Sequence, residues 1–402
     1  MPSHFLKIVN DCYAKYFYIF WLVFLVIFIR ASYLSITTAL DSSLDMQWYP
    51  TLHFWDSINP YLANLNGDKF MSNDPNYMPL MYFLMFPFGL LEWESAKLAF
   101  GLTNIILSFA SIVLAIYLKN HIFTWILSVF MVFGYCFGNV IGNAQIAIII
   151  GFFTLSAFVF REKRIILVIA LSVISIKHSF ALPIMLGFFL CGYKKEVVLS
   201  GIIALMFVCI LAFRVDSNPL AILKLMSQVN AMYYSPTSLG GPSDIFSLSQ
   251  KIFHTPYSIL NIFNVLIYIS FIIITRIYHI KHSNIIAASI VLSLFSLPHL
   301  GYDHYMLFIA IIILASGIKA TSFSNIFLCA IAVILWRGEK FIKPINDKIL
   351  ALIGGGGQMP LSQISTHWAM NMGVLFCVIF VVAFMVGFYA LLLSKDSKKE
   401  KR

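Results

Sequence analysis

The sequence predicts an all-α integral membrane protein of about twelve transmembrane helices, with a long first extracytoplasmic loop carrying short interfacial helices. Composition, periodic apolar runs and the placement of basic residues each point there. Of 402 residues, 60% are hydrophobic and 11% charged, and the mean hydropathy is +0.88. A soluble chain carries about 25% charged residues, so this one has too little polar surface to enclose its apolar content. Apolar runs recur from end to end, and roughly 17–25 residues of helix are what a hydrocarbon core requires. Lys and Arg concentrate in short loops, "REKR" (161–164), "YKKE" (193–196) and "RIYHIKH" (276–282), and in the tail "SKDSKKEKR". Bases so dispersed are topology signals; with a formal charge of +10 they still give no nucleic-acid surface.

Taken in order, hydropathy places spans near 17–37, 95–118, 122–138, 143–160, 165–177, 179–192, 196–214, 257–276, 284–299, 303–319, 322–336 and 367–393. The first run is too long for a signal-peptide core and is read as a retained anchor. The segment 78–91, "MPLMYFLMFPFGLL", is short and interrupted by Pro79 and Pro87, which predicts a re-entrant or interfacial piece. Both termini then lie in the cytoplasm. Inner segments hold the surplus of Lys and Arg, and the basic stretch 337–348 is placed outside as an interfacial helix with snorkelling lysines. The outer segments 38–94, 215–256 and 337–366 are long and the inner ones short, so one membrane face carries the non-membrane sequence. One polytopic domain covers 1–393, with a basic cytoplasmic tail at 394–402. The six cysteines (Cys12, Cys136, Cys191, Cys209, Cys329, Cys377) include no CxxC pair and indicate neither a disulfide framework nor zinc.

Polar groups gather at the outer ends of these helices. Asp41 and Asp45 open the first outer loop; Asn143 and Gln145 lie in "GNAQ"; Lys177 and His178 sit between two short apolar stretches. His299, Asp303 and His304 come from "LPHLGYDHY". Each has a plain alternative as a helix-end, turn or snorkelling residue. Their convergence on one face favours function, because ionisable groups inside a span are expensive. A carboxylate suits a general base on a sugar hydroxyl, cations suit a phosphate leaving group, and an apolar groove suits an isoprenoid tail. No GxxxxGK[ST] or GxGxxG loop is present.

The sequence resembles the GT-C class of polytopic glycosyltransferases, most closely family 87, over roughly residues 40–310. The resemblance rests on Asp45 with Tyr49, Pro60-Tyr61, "YMPL" at Tyr77–Leu80, "FPFGLL" at 86–91, Lys177 in "KHSFALPIML", and Pro298, Tyr302, Asp303 and His304. "GNAQ" alters the order of the family's glycine–glutamine element, Tyr302 stands for its tryptophan, and Leu80 for a second proline. The resemblance implies transfer of a hexose, mannose in the family's polyprenyl-phosphate-mannose-dependent members, from a polyprenyl-phosphate donor to a glycolipid or glycan hydroxyl. It places an active site outside the plasma membrane of a multi-pass protein. It implies inversion with Asp45 as base and Asp41 as runner-up. Lys177 and His304 would meet the donor phosphate, with His178 and Gln145 in support and Asn143, Tyr77, Asp303 and His299 beside them. No cofactor is expected; some GT-C members use a divalent metal, which His299, Asp303 and His304 have the groups to ligate. Rival readings are a secondary transporter, favouring inverted repeats and midplane charges, a lipid-linked oligosaccharide polymerase or ligase rich in outer arginines, and a structural subunit.

Overall fold

The computed structural model describes residues 2–42, 45–68, 74–233, 244, 257–277 and 280–317. The expected spans 322–336 and 367–393, the segment 337–366, the tail 394–402 and most of 234–256 lie outside the described residues. Among those described, all regular structure is helical. In chain order the helices are α1 (Pro2–Lys15), α2 (Phe17–Ser42), α3 (Trp48–Trp55), α4 (Pro60–Leu65), α5 (Leu80–Leu84), α6 (Phe86–Gly89) and α7 (Trp93–Leu118). There follow α8 (Ile122–Phe133), α9 (Tyr135–Gly142), α10 (Ala147–Val159), α11 (Arg164–Ile174), α12 (His178–Leu190), α13 (Lys194–Arg214) and α14 (Pro219–Tyr233). The last are α15 (Tyr257–Ile277), α16 (His282–Ser296), a 3₁₀ turn (Gly301–His304) and α17 (Tyr305–Ser316).

Among the described residues, three helices, α2, α7 and α13, are long and apolar enough to cross a membrane. The expected span 122–138 is instead two helices, α8 and α9, bent by 46°. The break falls at Gly134, whose backbone is extended (φ −64°, ψ 142°). A Cβ there would lie 2.9 Å from the Phe130 carbonyl oxygen, so only glycine fits this corner without a shift. Helices α10, α11 and α12 have 13, 11 and 13 residues, and at 1.5 Å rise per residue such helices reach only about 16–20 Å. The segment 78–91 forms two short helices, α5 and α6, with Pro79 capping the first and Pro87 at the start of the second. Proline lacks the N–H that a helix interior needs but not the one missing at a helix start.

At the centre, α10 packs on α7, α11 and α17, while α12, α16 and α17 form a second layer. Helices α12 and α16 run antiparallel at close range. A Cβ on Gly187 would lie 2.6 Å from Ser289 Oγ and 3.0 Å from Ser289 Cβ, the kind of small-residue seam that lets helix backbones approach. Replacing Gly187 by Leu is expected to part this pair and lower stability by about 1–3 kcal/mol, read as a lower midpoint of thermal unfolding in detergent. An unchanged midpoint would show that the seam tolerates bulk.

The first loop is tied down by two cations. Lys97, buried in α7, donates to the Leu40 carbonyl at 2.8 Å and pairs with Glu94 at 3.0 Å. Arg214, ending α13, donates to the Phe54 and Trp55 carbonyls at 3.2 and 2.5 Å and to Ser57 Oγ at 3.3 Å. Both satisfy carbonyls at a helix C-terminus, where orphan acceptors and the negative end of the dipole favour a cation.

Candidate functional site

Two polar clusters meet where the first loop docks on the α11–α12 hairpin. The hairpin tip, Ser175–Lys177, is buried, as the short apolar stretches around it predict. Lys177 precedes α12, and its ammonium lies 2.6 and 2.7 Å from the two carboxylate oxygens of Asp303. Side-chain exposures of 7% and 1% make this a buried ion pair. Asp303 also lies 3.0 Å from His299 Nδ1, and its Oδ2 accepts from the Leu300 N–H at 3.3 Å. These contacts use the carboxylate's lone pairs, which is what a buried charge requires. The Lys177 ammonium further sits over the rings of Phe180 and Tyr302 at 5.4 and 5.5 Å.

A proline explains why His299 is held where it is. Pro183 lies inside α12 and has no N–H for the carbonyl four residues earlier, that of Ser179. Ser293 of α16 donates to that carbonyl at 2.8 Å, and the same hydroxyl lies 3.0 Å from His299 Nε2. The Phe180 ring lies against His299 with centroids 4.2 Å apart and planes tilted by 34°. The proline of "KHSFALP" therefore opens an acceptor that fastens the end of α16, and with it His299 and Asp303, to the start of α12.

The second cluster surrounds Asp45. Its Oδ2 accepts from Gln145 Nε2 at 3.1 Å, and Gln145 Oε1 accepts from the Tyr77 hydroxyl at 3.1 Å. Tyr61 fixes that tyrosine by donating to its carbonyl at 2.5 Å. Gln145 is aimed by the turn between α9 and α10. Ala144 takes φ 49°, its N–H bonds the Ile141 carbonyl at 3.0 Å, and the Gln145 N–H bonds the Val140 carbonyl at 2.8 Å. This is a helix stop that normally carries glycine at the left-handed position; alanine there stores on the order of 1 kcal/mol. Asp45 is partly buried. Burial raises its carboxyl pKa above the ordinary value, and the Gln145 hydrogen bond opposes that rise.

The clusters join through the backbone. The Met78 N–H, next to Tyr77, donates to the Ile176 carbonyl at 2.9 Å, next to Lys177. A continuous path thus runs from Asp45 through Gln145 and Tyr77 to the hairpin tip, then through Lys177 and Asp303 to His299. His178 is half-buried at the start of α12, and His304 is buried in the 3₁₀ turn beside Asp303. Among the described residues, two of the expected ones have no side-chain hydrogen bond to either cluster. Asp41 is exposed in the last turn of α2, which runs five residues beyond its expected end and carries that side chain with it. Asn143 is the C-terminal cap of α9, where its N–H bonds the Asn139 carbonyl at 2.9 Å.

Two further residues, adjacent in sequence to the Asp45–Tyr77 cluster and joined through Asp74, come from the structure alone. Gln47 Nε2 and the Asn76 N–H both donate to the Asp74 carbonyl, at 3.2 and 2.8 Å. Among the described residues, the side-chain oxygens Gln47 Oε1 and Asn76 Oδ1 are buried with no hydrogen-bond donor, an arrangement that costs about 1–3 kcal/mol per group until a donor arrives. No sequence pattern marks them, since a glutamine and an asparagine in a polar loop are unremarkable until the loop closes. Among the described residues, no group of three His, Cys, Asp or Glu side chains is arranged to hold a metal ion. Comparison with protein-family models, with curated proteins and with solved structures returned no match.

Proposed function

We propose that the chain is a GT-C-type membrane glycosyltransferase. It moves a hexose from a polyprenyl-phosphate donor to a hydroxyl of a glycolipid or glycan at the extracytoplasmic face of the plasma membrane. The observation that carries this reading is the hydrogen-bonded path joining the partly exposed acid Asp45 to the buried Lys177–Asp303–His299 group. In this proposal the acceptor oxygen attacks the anomeric carbon, Asp45 takes the hydroxyl proton, and the carbon–oxygen bond to the phosphate breaks with its electron pair leaving on the phosphate. Lys177 has three N–H donors; Asp303 takes two, and the third serves a phosphate oxygen, with His178 and His304 alongside. Gln47 and Asn76 offer acceptors for sugar hydroxyls. The topology proposed with it has twelve crossings in one domain, 1–393, both termini cytoplasmic, and the 38–94 loop outside.

The test is transfer of radiolabel from polyprenyl-phosphate hexoses in membranes containing the full chain. Chain-dependent labelling of a glycolipid or glycan supports the reading; no transfer from any hexose donor ends it. Cysteine placed at Ser42 and at Ser397 checks the sidedness, with labelling from outside expected for the first and not the second.

A pH profile gives a sharper check. A base must be ionised, so transfer falls as pH drops through the raised Asp45 pKa. Gln145→Leu removes the hydrogen bond that lowers that pKa, so the acid limb of the profile is expected to move to higher pH. A limb that stays put, or moves down, would separate the titration from Asp45.

A further inference from the structure

Away from the site, a wide-open surface cavity of about 340 Å³ is lined, mainly through apolar atoms, by Arg164, Lys194, Lys195, Val198 and Leu199. Arg164 is the first residue of α11, and Lys194 and Lys195 are the first two of α13. Three cations therefore stand at two adjacent helix N-termini, whose dipole ends add to their field. Two carboxylates oppose them: Glu196 pairs with Arg164 at 3.2 Å, and Glu162 pairs with Arg161 at 3.7 Å and accepts from the Tyr193 hydroxyl at 2.9 Å, which leaves Lys194 and Lys195 as the charge surplus. Below them Ser200 Oγ lies 2.8 Å from the Glu196 carbonyl of its own helix and 3.0 Å from the Val168 carbonyl of α11, so its one proton is shared between the two helices.

The walls of the cavity continue as an exposed apolar strip. Val198, Ile202 and Leu205 follow one another on one face of α13, and Ile165 and Ile169 on one face of α11; all five are exposed. Helix α13 is long and apolar enough to cross a membrane, so its basic end falls at the depth where headgroups lie. A soluble anion would use the cations but gain nothing from the strip. A neutral lipid would use the strip but not the surplus charge.

We propose that this cavity binds an anionic phospholipid, its phosphate between Arg164, Lys194 and Lys195 and an acyl chain along the Val198–Ile202–Leu205 strip. The proposal is independent of the sugar-transfer reading, since it uses none of the residues that reading needs. The test is native mass spectrometry of the full chain in neutral detergent, titrated with dioleoyl-phosphatidylglycerol, dioleoyl-phosphatidylcholine or inorganic phosphate. Retention of phosphatidylglycerol alone is expected. In the variant Lys194→Gln/Lys195→Gln its affinity should drop about thirtyfold, roughly fivefold for each lysine at a membrane surface. Equal retention of phosphatidylcholine would overturn the proposal, as would undiminished phosphatidylglycerol binding by the variant. Inorganic phosphate competing as well as the lipid would make this a soluble-anion site and overturn it too. Should the variant fail to fold, the wild-type chain decides: salt must weaken phosphatidylglycerol retention several-fold through screening, and salt-independent retention counts against the site.

Discussion

Replacing Asp45 by Asn is expected to lower sugar transfer by roughly two to four orders of magnitude, the range for losing a general base. Asparagine keeps the shape of the side chain and retains an oxygen to accept from Gln145 Nε2, now 3.1 Å from Asp45 Oδ2. The path to Tyr77 should survive, and the loss should appear in kcat with the donor KM little changed. Asp41→Asn is the internal control. That side chain is exposed at the end of α2, so its change should leave transfer within about twofold, as exposed substitutions generally do. The reverse result, with the Asp41 variant dead and the Asp45 variant active, would move the base to Asp41. Full activity in both would remove the acid from the mechanism.

Replacing Asp303 by Asn should be the most damaging change for stability. It leaves the Lys177 ammonium buried without its carboxylate, and breaking a buried pair from one side costs about 3–5 kcal/mol. Lys177→Met should cost less, because Asp303 keeps His299 Nδ1 at 3.0 Å and the Leu300 N–H at 3.3 Å. Joining Lys177→Met with Asp303→Leu should recover part of the stability while transfer stays lost, since no charge is then stranded. Thermal unfolding of the four proteins in one detergent reads this directly. An Asp303→Asn protein as stable as the wild type would mean that the ammonium finds another partner or sheds its proton at little cost.

Much of the helical architecture was legible because apolar runs and prolines act locally. The short stretches around Lys177 announce a hairpin, and Pro79 and Pro87 divide 78–91 into two short helices. Gly134 shows the limit of such reading. A hydropathy window passes over a single glycine, while the backbone corner it permits breaks an expected span in two. The side-chain partnerships were less legible still. Lys177 and Asp303 are 126 positions apart and Asp45 and Gln145 are 100 apart; neither spacing leaves a periodic trace. The sequence collects these residues at helix ends, but which acid meets which base depends on helix packing and on turns such as the one at Ala144. Asp41 and Asp45 look alike in the sequence, and only the length of α2 separates an exposed carboxylate from a hydrogen-bonded one. The roles of Ser293 and Ser179 depend on the carbonyl that Pro183 leaves open, an effect visible only once α16 lies against α12.

The distance in sequence between Lys177 and Asp303 also bears on how the protein is made. During synthesis the lysine leaves the ribosome 126 residues before its partner, so the α11–α12 hairpin carries an unpaired cation at its tip until Asp303 follows. The packing of that hairpin is therefore incomplete until α16 and the turn after it arrive. A chain halted before residue 303 would keep that amine without its carboxylate.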